Sequence, residues 1–231
     1  LPSMGDHDVL LRVKACAICG GDLHIYKGKH PLASLPVAIG HELSGEVIEV
    51  GKSVSRISLG DRVAVEPVIP CAKCHFCLRG EAQLCQDSRY QYSAGQGGFT
   101  PFFAVAENWV HRLPDFLSYE EGTLLEPLAV AVHAARRAQI EMGHTVAIFG
   151  AGGIGLLLLQ VARASGCARV FITDLSEHRL KTAEFFGAAL ALHPGKEDPV
   201  ERIFRETGGF GVDRSFEAVG LEKTLHQAAA S

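Results

Sequence analysis

Apolar and polar positions change rhythm near the middle of this chain. In the first half, short alternating or apolar runs at 9–15, 45–50, 62–66 and 102–106 are separated by turn residues. Gly51 ends the second run, Gly60-Asp61 feeds the third, and Pro67 stops it. Period-two runs with that punctuation predict strands, and many short strands predict a small, partly open barrel. In the second half the period lengthens. Ser118-Tyr119-Glu120-Glu121 offers a helix start with acids in its first turn, and a long helix is expected over 123–138 with Pro127 as a candidate break. From Thr145 onward strands at 145–150, 169–174, 190–193 and 212–218 alternate with helices near 153–165, 176–186, 198–207 and 221–230. That alternation predicts a parallel sheet covered on both faces. A doubly wound nucleotide domain has about six strands, and only four are visible. The chain is therefore expected to be a piece, lacking a little before Leu1 and more after Ser231.

Composition narrows the classes. At 231 residues, 47% hydrophobic and 21% charged, the chain can bury a core and is not a disordered segment. A net charge of −4 gives no electrostatic case for nucleic acid or for an anionic membrane surface. No apolar run reaches spanning length, and the first residues lack the basic and apolar regions of a signal peptide. Seven cysteines, four of them between positions 71 and 85, argue for metal thiolates in a reducing cytoplasm over a disulfide framework.

Three groups of residues carry chemistry. Cys71-x2-Cys74-x2-Cys77-x7-Cys85 has the spacing of a closed, tetrahedral, structural zinc site, with His75 a bystander. Cys19, in Cys19-Gly20-Gly21-Asp22-Leu23-His24, sits in a glycine turn; His41-Glu42 follows an apolar stretch; Glu126 is a carboxylate in an apolar helical run. One Cys, one His and one carboxylate plus water make an open, catalytic zinc site. The plainer readings are a core histidine, a solvated helix charge and, for Cys16-x2-Cys19, a redox pair. The third group is the turn Gly150-Ala151-Gly152-Gly153-Ile154-Gly155 between a strand and a helix, with Asp174 closing the next strand. Its glycines would admit a pyrophosphate at the helix start, and the acid would accept ribose hydroxyls and repel a 2′-phosphate. That points to NAD. Arg179 is a candidate for the adenosine end or a surface arginine.

As they stand, these motifs resemble the zinc-containing medium-chain alcohol and polyol dehydrogenases, and above all their sorbitol (L-iditol) dehydrogenase branch. The resemblance rests on Gly40-His41-Glu42, Gly60-Asp61-Arg62-Val63, the cysteine lobe, the run from Glu120 through Glu126-Pro127 to Arg137, and the glycine turn, all in the family's order. It implies a GroES-like catalytic domain over 1–138 that includes the zinc lobe 71–85, then a truncated Rossmann domain over 139–231. It also implies a homotetramer or homodimer acting on a small-molecule polyol or alcohol, with one catalytic and one structural zinc. The catalytic zinc would lie among Cys19, His41 and either Glu42 or Glu126. Asp22 would orient His41, and His24 would end a proton relay. Alcohol dehydrogenases proper usually have Cys where this chain has Glu126, which favours the polyol branch. One departure stands out: the family normally has Ser or Thr where this chain has Gly21, and that hydroxyl starts the relay.

The resulting expectation is transfer of a hydride from a secondary hydroxyl to NAD, giving a ketose, with zinc as Lewis acid. Oxidation of L-threonine or a vicinal diol is the nearest rival. A zinc-stabilised structural or interaction protein with a vestigial dinucleotide fold is the rival of another kind, and a metal count separates it from the enzyme.

Overall fold

A computed structural model describes residues 1–30, 36–90 and 96–231. The chain divides into two compact units, Leu1–Glu126 and Pro127–Ser231.

The first unit is built on a five-stranded antiparallel sheet of order β6-β1-β2-β3-β7. Its strands are β1 (Asp8–Ala17), β2 (Glu42–Val50), β3 (Arg62–Val65), β6 (Phe102–Ala106) and β7 (Val110–Arg112). Alternate residues of these strands, including Val9, Leu11, Leu43, Val47, Val63, Phe103 and Val105, fill one apolar core. A two-stranded ribbon, β4 (Val68–Ile69) with β5 (Arg89–Tyr90), closes the base of the cysteine segment, which carries the short helix α2 (His75–Leu78).

The expected glycine turn after Cys19 is instead helix α1 (Gly20–Tyr26), with Cys19 as its N-cap. Glycine's low helix propensity is outweighed by reciprocal capping between Cys19 and Asp22. The Ser118 start is also a capping box, with Glu121, but it opens only a four-residue helix, α3 (Tyr119–Gly122). Helix α4 (Leu125–Arg137) then runs unbroken through Pro127. Proline in a first turn removes no intrahelical hydrogen bond, so no break follows.

In the second unit β8 (Thr145–Phe149), β9 (Arg169–Thr173), β10 (Leu190–Leu192) and β11 (Arg214–Glu217) form a parallel sheet of order β10-β9-β8-β11. Every residue of β8 is buried. Val146 and Ile148 pack on one face with Ala131 of α4 and with Leu158 and Leu159 of α5 (Gly153–Ala164). Ala147 and Phe149 pack on the other with Ile203 of α7 (Pro199–Glu206) and Ala228 of α8 (Glu222–Ala230). Helix α6 (Glu177–Phe185) adds Ala183 to the first face. Both faces are thus covered, as a parallel sheet requires. Helix α4 packs Ala131 into this core, and the division between the two units falls within its first turn, after Glu126. No helix among the described residues is long and apolar enough to cross a membrane.

Candidate metal centres and nucleotide cradle

The register of β1 against β2 assembles the first site. Ala17 pairs with Glu42, so Cys19, two residues beyond the end of β1, comes level with His41 at the start of β2. The ligand atoms of Cys19, His41 and Glu42 all lie within 4.8 Å of one another. Asp22, 1% exposed, ties the two segments. Its carboxylate accepts the Cys19 N–H at 2.9 Å and the Gly40 N–H at 3.1 Å, and stands 3.4 Å from His41 Nδ1. Although that last distance suits an ion pair, its geometry does not make a hydrogen bond, and His41 Nδ1 is a buried nitrogen with no hydrogen-bond partner among the described residues.

Electrostatics there are unbalanced. The hydrogen bond to Cys19 pushes His41 up to about 9 against the opposing effect of burial, with Asp22 and Glu126 adding to the rise. Burial raises Glu42 above the ordinary carboxyl range while His41 opposes it. Burial likewise raises Glu126, helped by the charges of Glu42 and Asp22. Glu126 stands outside the tight group of three but within its electrostatic reach. Several crowded carboxyls, a thiol and an imidazole with an unused nitrogen suit a divalent cation that keeps an open position. His24 is exposed on α1, three residues after Gly21 and so on the same side of that helix.

Sequence reasoning missed the device that holds α3, and through it the approach to Glu126. Ser44 Oγ donates to the Tyr119 carbonyl at 2.5 Å, and the Arg62 guanidinium lies 4.7 Å from the Tyr119 ring centroid. A serine two residues beyond Glu42 on a strand face otherwise buried was the available signal.

The four lobe cysteines form a second group, their sulfurs within 4.8 Å of one another. Cys74 and Cys77 Sγ are 3.5 Å apart, and Cys71 and Cys77 Sγ 4.0 Å. The Cys71 N–H donates to Cys85 Sγ (3.2 Å) and the Cys74 N–H to Cys71 Sγ (3.3 Å), so backbone amides help hold the sulfurs together. Leu78 and Leu84 are exposed, and no residue of 71–85 belongs to any of the three apolar clusters, although Cys85 itself is buried. The donor set fits a closed zinc site that would supply the lobe's missing core. His75 is exposed and stacks edge-on with Phe76, outside the group.

The third site lies after β8. Gly150 has φ +111°, and a Cβ on Gly155 would overlap the Gly150 carbonyl oxygen, so neither position accepts a side chain without distortion. Around Gly152 and Gly153 the space is open. Helix α5 begins at Gly153, and Ile154 is half-buried against the sheet. Asp174 uses both carboxylate oxygens on backbone: Oδ2 accepts the Ala151 N–H at 2.9 Å and Oδ1 the Ser176 N–H at 2.8 Å. Arg179 Nη1 stands 3.5 Å from the same Oδ2. Asp174 therefore braces the glycine turn as well as marking the end of β9. Open glycines over a helix start fit a pyrophosphate.

Residues 5–115 match the alcohol dehydrogenase GroES-like domain, and residues 153–231 match the zinc-binding dehydrogenase family. Sorbitol dehydrogenase of Bacillus subtilis is 37% identical over 235 residues, which take in 100% of this chain and 67% of that relative. The chain belongs to the zinc-containing medium-chain alcohol and polyol dehydrogenases. Among solved members of this family, 2R,3R-butanediol dehydrogenase from Bacillus subtilis superposes with a TM-score of 0.88 at 40% identity, covering 100% of this chain and 69% of that one. A zinc-binding dehydrogenase from Sinorhizobium meliloti bound to NADP superposes with a TM-score of 0.93 at 35% identity, covering 99% of this chain and 67% of that one. The chain thus spans about two thirds of the length of the medium-chain dehydrogenases it matches. Family membership also accounts for both layers of the fold, the GroES-like unit and the Rossmann-like parallel sheet.

Proposed function

We propose that this chain carries the catalytic and nucleotide-binding machinery of an NAD-dependent polyol dehydrogenase. A secondary alcohol and NAD would give a ketone, NADH and a proton, and a sugar alcohol would give a ketose. The observation that supports this most is the convergence of Cys19, His41 and Glu42, with Glu126 in electrostatic range, in a chain that also carries the Gly150–Gly155 cradle. We place the catalytic part at 1–138, with α4 lending Glu126 from its first turn, and the nucleotide part at 139–231.

Cys19, His41 and Glu42 or Glu126 would hold a zinc ion, which supplies Lewis acidity to the substrate hydroxyl. Asp22 sets the orientation of the His41 ring. NAD supplies the hydride acceptor, and the glycine turn, Asp174 and Arg179 position it. Cys71, Cys74, Cys77 and Cys85 would hold a second zinc as a structural brace. The full-length enzyme would be a cytoplasmic homodimer or homotetramer. A vicinal diol is the second reading, favoured by the 40% identity to a butanediol dehydrogenase. Metal analysis with a panel of polyols, butanediols and L-threonine, followed by NADH absorbance on the full-length protein, tests the proposal. One zinc per chain and no turnover on any of them would leave a structural module instead.

Two variants probe the details. Asp174→Ala should narrow the preference for NAD over NADP by removing a charge that repels a 2′-phosphate. Because Asp174 also braces Ala151, affinity for NAD should fall as well; dissociation constants for both dinucleotides check this. Equal use of the two by the unaltered enzyme would sink the assignment.

At Gly21, an added Cβ would meet only Cys19 Sγ among the described residues, at an ordinary 3.7 Å, so Gly21→Ser should fold unchanged. With no hydroxyl there, water must begin the proton path towards His24. A positioned proton-transfer group is worth about 10²–10⁴ in rate. Gly21→Ser should recover part of that, raising turnover or moving its pH profile to lower pH, with His24→Ala as control. An unchanged rate and profile in Gly21→Ser, with His24→Ala still inactive, would place the relay elsewhere.

A further inference from the structure

Strand order β10-β9-β8-β11 switches sides at β8, and in such sheets a ligand crevice lies outside the carboxyl ends of the strands at that switch, here β8 and β11. The glycine turn after β8 forms one wall. The other wall is the segment 218–221 that follows β11, and it leans directly on the first. The Ala218 N–H donates to the Phe149 carbonyl at 2.8 Å. A Cβ on Gly150 would stand 2.8 Å from Val219 Cγ2 and 3.0 Å from the Ala218 carbonyl oxygen.

One side chain holds this second wall. Glu217, the last residue of β11, accepts three hydrogen bonds on a single oxygen, Oε1: from the Val219 N–H at 2.8 Å, the Gly220 N–H at 2.9 Å and the Thr224 hydroxyl at 2.7 Å. Burial alone would raise its carboxyl, but the Thr224 hydroxyl and the amides of Gly220, Val219 and Leu221 outweigh burial and hold it below the ordinary range. It also links the strand end to the first turn of α8, whose N-cap, Leu221, offers no side-chain cap. Nothing in the glycine motif calls for an acid here.

We propose that Glu217 is a positioning residue for the dinucleotide: it sets the 218–221 wall against Gly150 and so fixes the width of the crevice. The proposal rests on the dinucleotide reading of the glycine turn. Without the carboxylate, the Val219 and Gly220 amides lose their acceptor and the wall can relax by about an ångström, a displacement large enough to weaken a fitted ligand.

The test uses the full-length enzyme with its zinc, and reads NADH and NADPH binding by fluorescence alongside KM and kcat. Glu217→Ala should raise the dinucleotide Kd and KM by about 10-fold, with kcat within about twofold and the KM for polyol unmoved. Glu217→Gln, which keeps a carbonyl acceptor, should recover much of the affinity. Thr224→Val, which removes one bond, should give a smaller rise of the same kind. Should Glu217→Ala fail to fold, the other two variants carry the comparison. Folded variants with a lower Tm but the unaltered Kd would overturn the proposal, leaving Glu217 a fold-stabilising residue only. If the unaltered enzyme binds neither dinucleotide, the glycine-turn reading fails first, and this proposal with it.

Discussion

His41→Ala should abolish turnover while leaving the protein folded and still holding one zinc. The imidazole lies within 4.8 Å of Cys19 and Glu42 and is the only nitrogen ligand of that group. Its loss leaves one thiol and crowded, partly buried carboxyls that already resist ionisation. Lewis-acid stabilisation is worth several kcal/mol, so a fall in kcat of about 10³-fold or more is expected. The four cysteines of the lobe are a separate group and should keep their metal. Metal analysis should therefore read one zinc per chain where two are expected of the unaltered protein, with the Tm little changed. A His41→Ala protein that keeps both metals and turns over normally would remove His41 from the site.

Cys77→Ser should do the converse, loosening residues 71–85 and leaving the catalytic metal in place. Cys77 lies at the middle of the group, 3.5 Å from Cys74 Sγ and 4.0 Å from Cys71 Sγ, and it rides on a helix of only four residues. Its surroundings cannot compensate, because Leu78 is 75% exposed and Leu84 52% exposed. If the lobe loses roughly 2 kcal/mol of opening free energy, cleavage there by an added protease should quicken about 30-fold. Limited proteolysis with mass analysis reads this directly, and nicks should fall between 71 and 90. Unchanged cleavage together with full zinc content would show that the four sulfurs do not share a metal.

How much of this was legible beforehand follows from the range of the interactions. The lobe was readable because three of its four ligands fall within seven residues, so a local turn brings them together. The β8–glycine–α5 unit was readable for the same reason: strand, turn and helix are contiguous, and β8 to α8 followed the period of their apolar residues. The start of α1 was misread, since two glycines argue against a helix and only the Cys19–Asp22 capping reverses that balance. Pro127 was marked as a break because its place in the first turn depends on where α4 begins.

Cys19, His41 and Glu42 were each conspicuous, but nothing local joins positions 19 and 41. The β1–β2 register joins them, by setting Ala17 opposite Glu42, and a slip of one residue would turn Glu42 to the other face. Buried Asp22 then locks the pair through Cys19 and Gly40. Ser44 left only the mark of a serine in a buried strand, and Glu217 on the crevice wall left none, since each acts on backbone whose position depends on the folded chain. Periodicity and short-range spacing carry the elements and the contiguous motifs because those rest on contacts between near neighbours. A site whose ligands come from separate strands exists only once long-range pairing has chosen a register, and that choice is made by burial of the whole sheet.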